Sequence, residues 1–189
     1  RRQSPLMRRT ATTLIVAGSL EIAYIAYQAS QGLHSHFNTG TDFHAIMYAL
    51  MGLFALLLTA TTLPLAWEIG PRPAPGLRPD FVAAVVIGLV VTFVLGAGMG
   101  GYMSAQPGHS VGIEGGRVAL FGWNRSGGDL RIAHFMGIHA EQAIPLLAAA
   151  AARLPSAARW RVLIGGTVLF TLTTLGLLAQ AVAGRPLLP

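Results

Sequence analysis

The sequence predicts an all-α polytopic membrane protein, a single transmembrane helix-bundle domain over residues 1–189, and three observations predict it. Only 11% of the 189 residues are charged and 53% are hydrophobic. Soluble domains carry roughly 25% charged residues, so this chain has too little polar surface to cover a soluble fold. Mean hydropathy is +0.57. Apolar runs of about 20 residues, the length that crosses a bilayer, recur about five times along the chain.

The first span is expected at about 12–31. Arg1, Arg2, Arg8 and Arg9 precede it and Glu21 interrupts it. No small-residue cleavage site follows, so it reads as a signal anchor and not as a cleaved signal peptide. The second span, about 43–67, has Pro64 near its end, where a kink disturbs least. The third, about 81–104, contains Gly96 and Gly100 at the GxxxG spacing that lets two helix backbones approach closely. The fourth, about 130–154, holds Pro145 in its interior. Proline removes a backbone donor there, and a kink is expected. The fifth, about 160–183, opens on Trp160 and Arg161 at a membrane interface. Residues 68–79 form a Pro-rich turn, and residues 105–129 form the longest loop, rich in glycine. Loops of that length in compact proteins usually carry function.

All 13 basic residues are arginine. Because they sit in short flanks between apolar runs, they read as topology signals and not as a nucleic-acid surface. With the N-terminus inside, nine arginines fall inside and four (Arg117, Arg125, Arg131, Arg185) outside, so the positive-inside rule gives N-in/C-out. The absence of lysine excludes a retinal Schiff base. The absence of cysteine excludes iron–sulfur clusters and c-type haem attachment.

In this orientation all six histidines lie on the outer half. His34, His36 and His44 flank the first connection, His109 lies in the long outer loop, and His134 and His139 lie on the fourth span. Neutral imidazole is the commonest ligand of transition metals and haem iron. A transition metal (Cu, Zn or Fe) or b-type haem is the expected cofactor. His134 and His139 are about 140° apart on a helix, so each needs partners from other helices, and His44 with His139 is the pair expected. Gly137 beside His139 would leave room for a flat macrocycle. Near mid-span, Glu21 and Glu141 are expected as a proton relay, because ionisable groups at that depth are functional by default. Gln142, Asp129 and Arg131 complete or orient the site. The chain has no P-loop, no GxSxG and no HExxH, and the sequence designates no catalytic residue.

Three stretches occur together: HSHFN from His34 to Asn38, GHSVG from Gly108 to Gly112, and GWNRSGGDLRIAHFMGIHAEQAIP from Gly122 to Pro145. Across about Thr12 to Leu154 they resemble a family of uncharacterised bacterial multipass membrane proteins. The resemblance implies that His34, His36, His109, Asp129, Arg131, His134, His139 and Gln142 belong to recurring motifs. It also implies two further helices ahead of Arg1, and so a chain that is a fragment. It implies no activity.

The expected function is that of a membrane redox or metal/haem-binding protein with a His-rich site on the outer, periplasmic half, in a bacterial inner membrane. Two alternatives stand beside it. One is a non-catalytic subunit of a respiratory or photosynthetic complex, in contact with other subunits or quinone. The other is a proton-coupled transporter or channel using Glu21 and Glu141.

Overall fold

A computed structural model describes residues 4–188 of the chain. The protein is nearly all-α. Four helices are long and apolar enough to cross a membrane, and a bent pair, if taken as one span, makes five. Their surfaces agree with that reading. Ile15, Ile22, Ile46, Val94, Leu169 and Leu172 are each more than half exposed. Apolar area on this scale is unfavourable in water and expected against lipid. The chain is an integral membrane protein. Its contacts divide it into two compact units, Arg1–Leu65 and Ala66–Pro189.

In the first unit, α1 (Pro5–Ser30) begins at a Ser4 cap whose hydroxyl accepts from the Met7 N–H, with Pro5 at the first helical position. It packs along α2 (Asp42–Ala60), which is capped in the same way by Thr41. On α1, Tyr24 and Gln28 are both buried, and the Gln28 amide donates to the Tyr24 hydroxyl. Gln31, on the same stripe, is exposed at the helix end. A turn at Thr61 separates α2 from α3 (Thr62–Ile69). Pro64 explains it, since proline cannot donate to the carbonyl four residues back, that of Ala60. The helix Asp42–Ile69 still reads as one span.

The second unit holds the remaining elements. The third span runs Pro79–Ser104 but is not uniform. An α-helix, α4 (Pro79–Val91), passes into a π-helical segment (Thr92–Ala97) and then α5 (Gly98–Ser104). The fourth span breaks into α6 (Leu130–Ile138) and α7 (Ala140–Ala150), bent by 55°. The break falls at His139, six residues before Pro145, where the kink is expected. Pro145 lies inside α7 with its ring against the α4 backbone near Gly88. The bend is therefore made at the start of α7, and the proline is accommodated by a glycine opposite. The last span, α8 (Ser156–Val182), is unbroken. Between α5 and α6, β1 (Ser110–Val111) pairs antiparallel with β2 (Gly128–Asp129).

Small residues set the helix spacing. A Cβ on Gly88 would come within 3.1 Å of the Ala140 carbonyl and the Glu141 Cα. A Cβ on Gly137 would come within 3.1 Å of Leu95 and 3.2 Å of the Gly96 nitrogen. Ala84, Ala140, Ile144, Ala148 and Leu163 form the core between α4, α7 and α8. At one end of these helices the buried Asp80 carboxylate accepts from Arg159 Nε at 3.0 Å and Arg78 Nε at 3.3 Å. Two of the arginines read as topology signals thus also tie helix ends together.

Candidate functional site

The long loop, residues 105–129, is built around one carboxylate. Asp129 caps α6 and is 1% exposed. Its Oδ1 accepts from the Arg131 N–H at 3.1 Å and Arg131 Nε at 2.9 Å. Its Oδ2 accepts from Arg131 Nη2 at 2.6 Å and the Asn124 N–H at 3.0 Å. Burial alone would raise this carboxyl, but the hydrogen bonds from Arg131 and Asn124 outweigh burial and hold it below its ordinary value. His109 places Nδ1 3.8 Å from Asp129 Oδ1. Burial first, and then the Arg131 charge, lower the His109 pKa against the opposing pull of Asp129.

Asn124 carries the network onward. Its side chain donates to the Ile113 carbonyl at 2.8 Å and accepts from the Gly115 and Ser126 N–H groups. Gly127 and Gly128 have no room for a side chain. A Cβ on Gly127 would overlap the Ile113 carbonyl, and one on Gly128 the Ala181 carbonyl of α8. The motif GWNRSGGDLR is therefore a clamp. Asn124 and Asp129 supply the polar centre, the glycines admit the crossing backbones, and Arg131 closes it. A small open recess of about 200 Å³ beside it is lined by Ser110, Glu114, Gly115, Gly116, Arg117 and Asn124.

The second feature is the break in the fourth span. The bend frees the N–H of Glu141 from its own helix, and Thr92 Oγ1 accepts it at 2.8 Å. Thr92 is buried and opens the π-helical segment. Two interrupted spans thus meet at their interruptions. His139 occupies the break, half-buried, with Nδ1 2.7 Å from the Phe135 carbonyl and its ring 4.0 Å from the Phe135 ring. A carbonyl can only accept, so Nδ1 carries a proton, and in the neutral ring the lone pair is on Nε2. His134, one turn and a half earlier, packs on Gly100, where a Cβ would meet its ring at 2.9 Å. Its Nδ1 is buried without a hydrogen-bond partner. Gln142 Nε2 donates to Glu141 Oε1 at 2.9 Å.

The space expected beside Gly137 for a macrocycle is filled by Leu95 and Gly96. The glycine serves helix contact. In the first unit, His34 and His36 are exposed, and His36 Nδ1 lies 3.0 Å from Ser35 Oγ. His44 sits on the first turn of α2 with Nδ1 2.9 Å from Thr41 Oγ1. Glu21 is in mid-helix, with Oε2 buried and without a hydrogen-bond partner. Among the described residues, no group of three or more His, Asp or Glu side chains is placed to hold a metal ion.

The sequence reading did not single out Thr92, Asn124 or Asp80. Asn124 alone carried a signal, its place in the motif between Trp123 and the paired glycines. No protein-family model, curated protein or solved structure matches the chain.

Proposed function

We propose that the chain is a redox or haem-binding protein of a bacterial inner membrane, with His139 as the principal ligand on the outer side of an N-in/C-out bundle. One observation carries the reading. The hydrogen bond from His139 Nδ1 to the Phe135 carbonyl fixes the ring as the tautomer with a free Nε2 lone pair, the arrangement that metal-ligating histidines use. A b-type haem needs only one or two axial imidazoles, so the lack of a three-ligand group does not count against it. His139 would hold such a group, with the Phe135 ring packed beside the imidazole. When bound, such a group would supply one-electron transfer. Glu141 and Gln142, two and three residues on, would hold or move a proton near it, with the Asp129–Arg131 clamp fixing the start of α6.

The test is the optical spectrum and iron content of protein purified from membranes, in parent and His139→Ala forms. A Soret band with stoichiometric iron, lost in the variant, is expected. Absence of both a Soret band and any stoichiometric metal in the parent overturns the reading.

A second reading has its own support. Interrupted spans in transporters bring helix ends to a midplane site, and here the π-helical segment meets the break at Thr92 and Glu141. In a proton-coupled transporter Glu141 would carry the proton, and Glu141→Gln would abolish flux in proteoliposomes. Unchanged flux would rule this out.

A further inference from the structure

We infer that the tip of the long loop is a membrane anchor, with Leu120 and Phe121 dipping into the headgroup–acyl boundary beside α6. The tip is a short antiparallel hairpin in which Arg117 bridges Asn124 and the Val118 N–H donates to the Trp123 carbonyl at 2.8 Å. Its turn is closed by the Phe121 N–H on the Ala119 carbonyl at 3.0 Å, with Leu120 between them at φ 74°. A γ-turn with positive φ is rare and strained for a residue with a Cβ. Here the strain buys a particular display: Leu120 is 93% exposed and Phe121 51% exposed. In water both the conformation and the exposure are unfavourable.

The occupant follows from where the tip is held. Trp123 stacks on Phe121 at 4.6 Å and meets Phe135 edge-on at 6.5 Å. Phe135 lies on α6, the first half of the bent apolar pair, five residues past its start, or about 7.5 Å along the axis, and it is 43% exposed. Arg131 Nη2 also donates to the Gly122 carbonyl at 2.7 Å, tying the tip to the first turn of the same helix. The tip is therefore brought back to the depth of the first two turns of a span, where aromatic residues gather at membrane interfaces. No charged residue lies between Arg117 and Arg125, and both arginines are exposed at the base of the hairpin. Uncharged tip and basic base match the acyl and phosphate layers of a lipid leaflet, the pattern of interfacial insertion.

The test uses the full chain, one copy per lipid nanodisc, with Trp67, Trp123 and Trp160 changed to Phe and Leu120→Trp as reporter. Lipids brominated at shallow acyl carbons should lower its fluorescence by at least half, and aqueous iodide should quench it several-fold less than free tryptophan. Quenching by iodide at the level of free tryptophan, with no bromolipid effect, overturns the inference by placing the tip in water. Shielding from both quenchers overturns it by placing the tip against protein. If the reporter variant does not fold, Trp123 as the sole tryptophan (Trp67→Phe, Trp160→Phe) reads the same outcomes through its stacked neighbour Phe121.

Discussion

Replacing Asp129 by Asn should loosen the whole 105–129 loop while leaving the spans folded. The carboxylate accepts four hydrogen bonds, three of them from Arg131. An amide keeps one acceptor oxygen and turns a donor toward the other two N–H groups, whichever way it is flipped. Two bonds to a buried charge are lost, each worth about 1.5–3 kcal/mol. Arg131 is 31% exposed, so water recovers part of its share, and a net loss of about 2–4 kcal/mol in local opening is expected. At tenfold per 1.4 kcal/mol, opening rises by about 30-fold to several-hundred-fold. Limited trypsin digestion reads this directly, because Arg117 and Arg125 lie within the loop and the chain has no lysine. Cleavage of a folded loop tracks its open population when reclosing is fast. Cleavage at these two sites within about two-fold of the parent, in a variant with unchanged helical circular dichroism, would refute the clamp. The carboxyl is held below its ordinary 3.8, so its contribution is complete above that value and is lost only as pH falls through the still lower folded pKa.

The same loop should respond to milder acid through His109. Its folded pKa is lowered from 6.5, so the opened loop takes up a proton first. Loop stability is full above 6.5 and declines as pH falls toward the folded pKa; hydrogen exchange should show this, and His109→Gln should flatten the dependence. Thr92→Val removes the acceptor of the Glu141 N–H and should destabilise the protein by about 1–3 kcal/mol in reversible unfolding in bicelles. Thr92→Ser should restore most of that. Gly137→Ala should cost about 1–3 kcal/mol by forcing α6 away from Leu95 and Gly96, read as a lower melting temperature in detergent, and Gly137→Leu should cost more. Equal stability of all three side chains at 137 would contradict the close approach.

The spans were legible in the sequence because length and apolarity are what a bilayer selects, and their observed limits lie within seven residues of those expected. The π-helical segment was not, since TFVLGA carries no local signal and the extra residue is held by tertiary contacts with α6. The break at His139 was misplaced at Pro145 because the proline rule treats a helix alone. Here Thr92 supplies a partner for the freed Glu141 N–H, and Gly88 makes room for the proline ring. In the loop, Asp129, Arg131 and His109 were picked out as candidates, and the structure brings these three together. Asn124 was passed over because a lone amide has no distinguishing chemistry until its three backbone partners are seen.

The π-helical segment has a consequence for how this chain tolerates change in length. A π-turn amounts to one residue more than the α-helix would hold. Removing one residue between Thr92 and Ala97 would restore a continuous α-helix, rotating everything beyond by about 100° and drawing it back by about 1.5 Å. Gly100 would swing off the His134 ring, and α5 would deliver the loop to a different side of α6. That single surplus residue sets the rotational phase between the two ends of the third span, so a one-residue deletion there is a change of geometry for the loop and not a shortening of the helix.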